Sequence, residues 1–269
     1  MKFQQVGLRH PRVRQLRTVQ RRGSAGDHRL FVAEGGWAHD RLLDAGTDIE
    51  VFLWCPEAAH AAGVHVCGVK IAARARRAYH IAPKVLAQLS ERDRPDGLIS
   101  LARLPPWDAA TVPVRWPGLV LVADAIEMPG NLGALLRTLD ACGGDCLVLT
   151  NRRTRLGHPT VFRGSRGMNL RVPVLEFDDP DAAVHWLAER RFTIYLATLG
   201  AAAIPYRTID FGERTAIVVG NEHCGVSPSW RRHGFTEITI PMLGAADSLN
   251  VTVSASILLY EARARAAGW

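Results

Sequence analysis

Residues 118–150 show the clearest pattern of hydrophobic and polar positions in the chain. Their first part, 119–123, is an unbroken apolar run, which is typical of a strand buried on both faces of a parallel sheet. After a Pro-Gly pair, apolar residues recur at intervals of three and four positions: Leu132, Leu135, Leu136 and Leu139. This spacing predicts a helix over 131–141 with Asn131 as its N-cap, and the next apolar run predicts a strand over 146–150.

Arg137 lies opposite that apolar stripe, and the residue four positions before it is Gly133. Because side chains at i and i−4 are neighbours on a helix, the glycine is expected to leave the surface beside the guanidinium bare. A ligand could therefore approach Arg137. A solvated arginine on an ordinary helix fits this stretch equally well.

The same alternation continues to the end of the chain. Strands are predicted at 119–123, 146–150, 171–175, 192–198, 215–220 and 236–240. Helices are predicted at 131–141, 180–190 and 248–266. Strands separated by helices predict a wound parallel sheet, and such sheets bind ligands at the C-terminal ends of their strands.

The residues upstream of 106 predict a smaller α/β unit. Its strands are expected at 29–35, 49–54, 63–70 and 97–104, and its helices at 36–46 and 81–90. A proline-rich stretch without a helical period follows. We therefore predict an N-terminal domain over 1–105, a linker over 106–117 and a second domain over 118–269.

Composition narrows the class of protein. The 269 residues are 48% hydrophobic, and no apolar run approaches the roughly 20 residues of a membrane span. Because the first residues also show no signal-peptide pattern, we expect a soluble cytoplasmic protein. The five cysteines are odd in number and mostly have apolar neighbours, which favours reduced thiols. Cys142 and Cys146 have no second cysteine pair, so no metal site is expected.

Positive charge is concentrated at the start of the chain. Residues 1–106 contain 17 Lys and Arg against 10 Asp and Glu, whereas the remaining residues contain 16 of each kind. Six arginines are candidates for contacts with a nucleic-acid backbone: Arg9, Arg12, Arg14, Arg17, Arg21 and Arg22. Apolar residues alternate with them, which predicts a helix that docks through one face. A solvated helix or a frayed tail would carry the same charges. A membrane surface is a less suitable partner than nucleic acid, because the apolar face is not hydrophobic enough to insert into a bilayer.

Three loops of the second domain contain the candidate chemistry. In the first loop, the spacing N-x-G-x-x-x-R-T is formed by Asn131, Gly133, Arg137 and Thr138. In the second, G-N-E-x-x-G-V-S is formed by Gly220, Asn221, Glu222, Gly225, Val226 and Ser227. In the third, I-P-M-x-G-x-x-x-S-L-N-V is formed by Ile240, Pro241, Met242, Gly244, Ser248, Leu249, Asn250 and Val251. Each loop alone has the composition of ordinary turns and N-caps.

In this order and spacing, the three loops resemble the signature motifs of the SpoU/TrmH class of SPOUT RNA 2′-O-ribose methyltransferases. Residues 9–105 resemble the substrate-binding domain of that family, which is similar to a small ribosomal RNA-binding protein. Neither G-x-G-x-x-G after a strand nor G-x-x-x-x-G-K-[ST] occurs, so a dinucleotide or a nucleoside triphosphate has no support in the sequence.

The resemblance implies a deep trefoil knot in the parallel-sheet domain, S-adenosylmethionine as the cofactor, and a homodimer. It implies cofactor contacts, largely through backbone groups, at six positions: Leu199, Gly200, Gly220, Asn221, Ile240 and Leu249. It implies a catalytic site at five positions: Arg137, Asn131, Glu222, Ser248 and Asn250. Several of these polar residues would also serve as simple caps or turn residues.

The implied reaction is methylation of a ribose 2′-hydroxyl. The chain looks most like actinobacterial ribosomal RNA methyltransferases, which include antibiotic-resistance enzymes of the thiostrepton type, so 23S ribosomal RNA is the expected substrate. A transfer RNA substrate, or an RNA-binding protein that lacks activity, are the alternatives. The arginine that matches Arg137 has been proposed as a general base in this family. Deprotonating an arginine near neutral pH costs about 7.5 kcal/mol. We therefore expect Arg137 to remain a cation that orients a phosphate and stabilises the alkoxide.

Two stretches depart from the family pattern. Glu127 and Met128 precede the Pro-Gly pair where many relatives have Asn or Asp, and we expect this difference to alter the loop near the target nucleotide. Arg163 and Arg166 add positive charge near the expected catalytic edge. We count both arginines among the candidate RNA contacts, and ordinary surface variation would explain them equally well.

Overall fold

The computed structural model describes residues 3–22 and 29–268, apart from the side chain of Arg22. These residues form two compact units, which comprise Met1–Pro105 with Arg155–Phe162, and Pro106–Thr154 with Arg163–Trp269. The two units are not separated at a single position in the sequence. A short segment from within the predicted second domain, 155–162, belongs to the first unit.

The first unit contains a four-stranded sheet in its described part. The strands are β1 (Leu30–Glu34), β2 (Ile49–Trp54), β3 (Ala78–His80) and β4 (Leu98–Arg103), in the order β1-β4-β2-β3. β4 pairs antiparallel with β1 and β2, and β2 pairs parallel with β3. The helices are α1 (Pro11–Arg22), α2 (Gly36–Asp44), α3 (Ala62–Arg74) and α4 (Pro83–Leu89).

Helix α1 is amphipathic. Val13, Leu16 and Val19 are buried in the core of the first unit. The opposite face carries exposed arginines, Arg12, Arg14 and Arg21, and a half-buried one, Arg17. The prediction of a helix that docks through one face is therefore confirmed. Arg22 ends this helix, and its side chain lies outside the described part of the chain.

The prediction of a strand over 63–70 is wrong, because these residues lie within α3. The helix buries Cys67, Gly68 and Ile71 on one face and exposes Val66 and Val69, two of the three valines that imitated a strand. A Cβ atom at Gly68 would lie only 2.8 Å from the indole of Trp54. The missing side chain thus lets the helix pack closely on β2, which is a tertiary contact that the local pattern does not contain.

The second unit contains a sheet in which every described strand is parallel to its neighbours. The strands are β5 (Gly118–Asp124), β6 (Cys146–Thr150), β7 (Val174–Glu176), β8 (Thr193–Ala197), β9 (Ile204–Pro205), β10 (Arg214–Val219) and β11 (Thr236–Thr239), in the order β7-β6-β5-β10-β8-β11-β9. Among the described residues, the remaining α-helices are α5 (Pro129–Ala141), α6 (Pro159–Gly164), α7 (Pro180–Glu189), α8 (Pro228–Arg231) and α9 (Val251–Ala267). The predicted parallel α/β sheet is confirmed.

Helix α5 begins two residues earlier than predicted. Met128 is at the N-cap position and Pro129 is the first helical residue, where its fixed φ angle suits the helix and its missing N–H is not needed. The expectation that Asn131 caps this helix is therefore wrong. Its side chain is instead available for a contact outside the helix.

The predicted linker, 106–117, packs on the second unit. Val112 is buried in the core of that unit. The indole N–H of Trp186 and the guanidinium of Arg190 both donate to the carbonyl of Ala109, each at 2.8 Å. These contacts order the proline-rich stretch, so it belongs structurally to the second unit.

Cysteines and helix lengths bear on the class of protein. All five cysteines are unpaired, and four of them are buried. Burial raises the pKa of Cys146 to about 12, which makes this thiol a poor nucleophile. Among the described residues, no helix is long and apolar enough to span a bilayer.

Candidate active site

The three motif loops of the second unit lie at the C-terminal edge of the sheet. They follow β5, β10 and β11. β10 is the direct neighbour of β5, although 89 residues separate the end of one strand from the start of the other in the sequence. Strand order therefore brings the first two loops side by side.

The second loop, 220–227, turns back on itself immediately after β10. The backbone N–H groups of Asn221 and Gly225 each donate to the carbonyl of the other, at 3.0 and 2.9 Å. A Cβ atom at Gly220 would lie 2.1 Å from the carbonyl carbon of Gly225, so a side chain there would clash with backbone. Gly225 has a φ angle of +67°, which favours glycine. The motif glycines are thus required by this turn.

One residue from each motif forms a chain of hydrogen bonds. The side-chain amide of Asn131 donates to Oε1 of Glu222 at 2.7 Å. Its oxygen accepts from Nδ2 of Asn250 at 3.3 Å. Asn250 is also the N-cap of α9, since its Oδ1 accepts from the N–H of Thr252 at 2.9 Å. The chain therefore joins the N-termini of two helices to the second loop.

Arg137 lies on the exposed face of α5, and its side chain forms no hydrogen bond or ion pair within the described part of the chain. Its neighbour Thr138 lies 3.2 Å, oxygen to oxygen, from Ser256 on α9. Gly133 is buried, and a Cβ atom on Gly164 would lie 3.5 Å from its Cα. The helix surface at Gly133 is therefore covered by another backbone segment, which contradicts the prediction that it is bare.

A cavity of about 640 Å³ opens between the second loop, the third loop and residues 197–200 at the end of β8. All six positions predicted to contact a cofactor line it: Leu199, Gly200, Gly220, Asn221, Ile240 and Leu249. Three of the five predicted catalytic residues also line it: Glu222, Ser248 and Asn250. Asn131 and Arg137 are not among the described lining residues, and Asn131 is held beside the cavity by its contact with Glu222.

Thr198, which the sequence did not single out, also lines the cavity. The hydroxyl of Thr198 donates to Oε2 of Glu237 at 2.7 Å, and the N–H of Gly200 approaches the same hydroxyl at 3.4 Å. A Cβ atom at Gly200 would lie 3.0 Å from that carboxylate, so the glycine keeps the space open. Asp124, which ends β5, was also missed. An acid at the end of an otherwise unbroken apolar strand was the signal that could have identified it.

The candidate RNA contacts divide between the two units. In the first unit, Arg14, Arg17, Thr18 and Arg21 line a shallow depression on α1. Arg9 is exposed just before this helix, and Arg12 donates to the side chain of Gln15 at 2.9 Å. In the second unit, Arg163 and Arg166 are exposed. Arg14, Arg17 and Arg21 thus form one compact basic surface within their own unit.

Fold and site together define a class of protein: a parallel α/β domain with a ligand-sized cavity between loops at the C-terminal edge of its sheet. Residues 118–260 match the SpoU rRNA Methylase family. Residues 10–100 match the MRM3-like substrate binding domain. The chain belongs to the SpoU rRNA methylase family, as the three motifs predicted.

Two relatives of the chain are named as 23S rRNA methyltransferases. The chain is 30% identical over 187 residues to the 23S rRNA (uridine(2479)-2′-O)-methyltransferase of Streptomyces viridochromogenes, a match that covers 68% of this chain and 65% of the relative. It is 31% identical over 185 residues to the 23S rRNA (guanosine(2553)-2′-O)-methyltransferase RlmP of Bacillus subtilis, which covers 69% and 72% respectively.

Solved structures extend the likeness to nearly the whole chain. An AdoMet-bound rRNA methyltransferase from Sinorhizobium meliloti superimposes with a TM-score of 0.84 at 25% identity, over 97% of each chain. An RNA 2′-O ribose methyltransferase superimposes with a TM-score of 0.77 at 32% identity, over 98% of this chain and 99% of the other. The predicted architecture of a substrate-binding domain followed by a SpoU-type domain is confirmed.

Proposed function

We propose that this chain transfers a methyl group from S-adenosylmethionine to a ribose 2′-hydroxyl of 23S ribosomal RNA. The observation that carries the proposal is the hydrogen-bond chain from Asn250 through Asn131 to Glu222, because it joins the three motifs beside a ligand-sized cavity. The names of the two relatives support the substrate, and the AdoMet-bound neighbour supports the cofactor.

The cavity fits this cofactor in size and chemistry. Small-molecule sites typically measure about 300–1,000 Å³, and they combine apolar walls with a few polar groups. Val219, Ile238 and Leu258 supply apolar wall for an adenine ring. Gly200 and Gly220 leave backbone groups accessible to the polar parts. When bound, S-adenosylmethionine supplies an activated methyl group on a sulfonium.

The residues of the site have separate tasks. Asn131, Ser248 and Asn250 place the target ribose, so that its oxygen approaches the methyl group in line. Glu222 holds Asn131 in position. Arg137 remains protonated, orients an RNA phosphate and stabilises the negative charge that develops on the ribose oxygen. Its exposure and its lack of a partner in the described part of the chain leave the guanidinium available for this role.

The active form is a homodimer with the trefoil knot of its family. Three large hydrophobic side chains are exposed at the two helices of the motif edge: Met128 (59%), Val253 (45%) and Tyr260 (42%). Met128 immediately precedes α5, and the other two lie on α9. A second copy that covers them would bury at least about 1,000 Å². Light scattering at micromolar concentration is expected to give the mass of a dimer. A fully active monomer would overturn this part of the proposal.

Calorimetry and methylation mapping together test the function. The full chain is expected to bind S-adenosylmethionine and to add one 2′-O-methyl group to unmodified 23S ribosomal RNA. Modification of transfer RNA alone would replace the proposed substrate. Failure to bind the cofactor would instead favour an RNA-binding protein without activity.

The cellular role follows from the position of the modified nucleotide. The enzyme acts on ribosomal RNA in the cytoplasm. If the nucleotide lies in a drug-binding site, expression in a susceptible strain should raise the inhibitory concentration of that drug. Unchanged susceptibility to ribosome-targeting drugs would assign a housekeeping role.

A further inference from the structure

Asp124 is a fully buried carboxylate at the edge where the motif loops meet. Its Oδ1 accepts hydrogen bonds from the hydroxyl of Thr150 at 3.0 Å and from Nδ2 of Asn151 at 2.7 Å. Its Oδ2 accepts from the backbone N–H of Ser227 at 2.8 Å. Three donors therefore compensate for the loss of water around this group.

The three donors lie at or beyond the ends of the two strands that flank β5. Thr150 ends β6, Asn151 follows it, and Ser227 ends the second loop, which follows β10. The indole N–H of Trp230 donates to the hydroxyl of Thr150 at 3.1 Å, which extends the network to α8. Asp124 thus connects the C-terminal ends of three neighbouring strands.

The residue after Asp124 holds the other end of the second loop. Ala125 has a φ angle of +55°, and its carbonyl accepts from the side-chain amide of Asn221 at 3.0 Å. The second loop is therefore fastened at its start through Ala125 and at its end through Asp124. Between these two points lie Glu222 and Gly225, which line the cavity.

We propose that Asp124 is a positioning residue for the cofactor site: its carboxylate holds the second loop in the conformation that binds S-adenosylmethionine before the cofactor arrives. The inference rests on the proposed function, which supplies the identity of the ligand. A loop that is ordered in advance loses less conformational entropy on binding, so its preorganisation strengthens affinity.

The variant Asp124→Asn tests this role with little change in side-chain size. The asparagine side chain has only one acceptor oxygen. Its NH₂ group must therefore face a donor, which is either the backbone N–H of Ser227 or the side chains of Thr150 and Asn151. Removal of a hydrogen bond to a charged group corresponds to roughly a 10- to 100-fold change in an equilibrium constant. We expect the dissociation constant for S-adenosylmethionine to rise by about that factor.

Asp145 provides a matched control at the opposite edge of the sheet, where it lies just before β6 and holds the start of β5. It is buried, and its carboxylate accepts from the N–H of Leu119 at 2.7 Å and from Nε of Arg115 at 2.6 Å. Asp145→Asn is expected to lower the melting temperature and to leave cofactor affinity unchanged. Equal weakening of affinity by both variants would show a general loss of stability and would overturn the inference.

A milder variant covers the case in which Asp124→Asn does not fold. Asn151→Gly removes one donor to Asp124, and glycine tolerates the φ angle of +48° at this position. Calorimetry should show a dissociation constant that is roughly 2- to 10-fold higher. If the wild-type chain binds the cofactor and this variant binds it equally well, the positioning role is excluded. If the wild-type chain does not bind, the proposed function itself fails.

Discussion

The side-chain amide of Asn131 donates a 2.7 Å hydrogen bond to the carboxylate of Glu222, 91 positions further along the chain. The bond joins the first turn of α5 to the loop that follows β10. Taken separately, the two residues have the character of ordinary helix-terminus and turn residues. Together they make the first two motifs a single structural unit, whose parts should depend on each other energetically.

A double-mutant cycle measures that dependence. Asn131→Ala and Glu222→Ala should each lower kcat/KM for methyl transfer, and the double variant should lose less than the sum of the two. A hydrogen bond to a charged group predicts a coupling energy of about 1.5–3 kcal/mol. Asn131→Ala combined with Arg207→Ala is the control cycle, because Arg207 is exposed and lies outside the three motifs. Additivity within about 0.5 kcal/mol in the first cycle would contradict the coupling.

The variant Arg137→Ala tests whether Arg137 acts as a cation that stabilises the negative charge on the ribose oxygen. Turnover should fall roughly a hundredfold or more, as it does when one donor to a developing oxyanion is removed, while cofactor affinity stays nearly unchanged. Arg137→Lys keeps the charge without the planar fork and should recover part of the loss. Arg207→Ala removes another exposed arginine of the second unit and should have little effect. Wild-type turnover in Arg137→Ala would exclude the role.

The arginines of α1 should determine the salt dependence of RNA binding. Replacing Arg14, Arg17 and Arg21 with Gln should weaken binding and reduce the salt slope by about 0.7–0.9 for each RNA phosphate that the helix no longer neutralises. Gln replacements at three arginines elsewhere in the first unit, Arg74, Arg77 and Arg94, remove the same charge and serve as the control. Equal slopes for the two triple variants would mean that α1 is merely solvated.

His39 should make the first unit sensitive to acid. It is fully buried, with Nδ1 2.8 Å from the carbonyl of Gly35 and Nε2 2.8 Å from the hydroxyl of Ser100. Burial lowers the pKa of His39 from 6.5 to about 4. Above pH 6.5 both the folded and the unfolded states hold it neutral, and its contribution is complete. As the pH falls from 6.5 to 4, only the unfolded state takes up the proton, so the free energy of unfolding should fall by roughly 3 kcal/mol.

Urea unfolding at several pH values, followed by tryptophan fluorescence, measures this loss. His39→Leu should be less stable at neutral pH, because Ser100 and Gly35 lose a partner. Its stability should nevertheless depend less on pH between 6.5 and 4 than that of the wild-type chain. Parallel curves for the two proteins would show that His39 does not titrate in this range.

Local patterns predicted the second unit well because its strands are buried on both faces. The apolar runs at 119–123 and 146–150 correspond to β5 and β6, and the leucine stripe of α5 is buried. The same reasoning failed for α3, where a half-exposed helix carries valines at strand-like intervals. Short elements such as β9 and α8 were missed, since they are too brief to show a period.

The sequence by itself determined the family, the division into a basic and a neutral part, and the set of residues near the cavity, because motif spacing and charge are properties of the chain in order. Only the tertiary structure decided which of those residues touch. Asn131 meets Glu222, and Asp124 meets Ser227, because β5 and β10 are neighbours in the sheet although they are remote in the sequence. Hydrogen bonds of this kind depend on strand order and register, and no local pattern of residues contains that information.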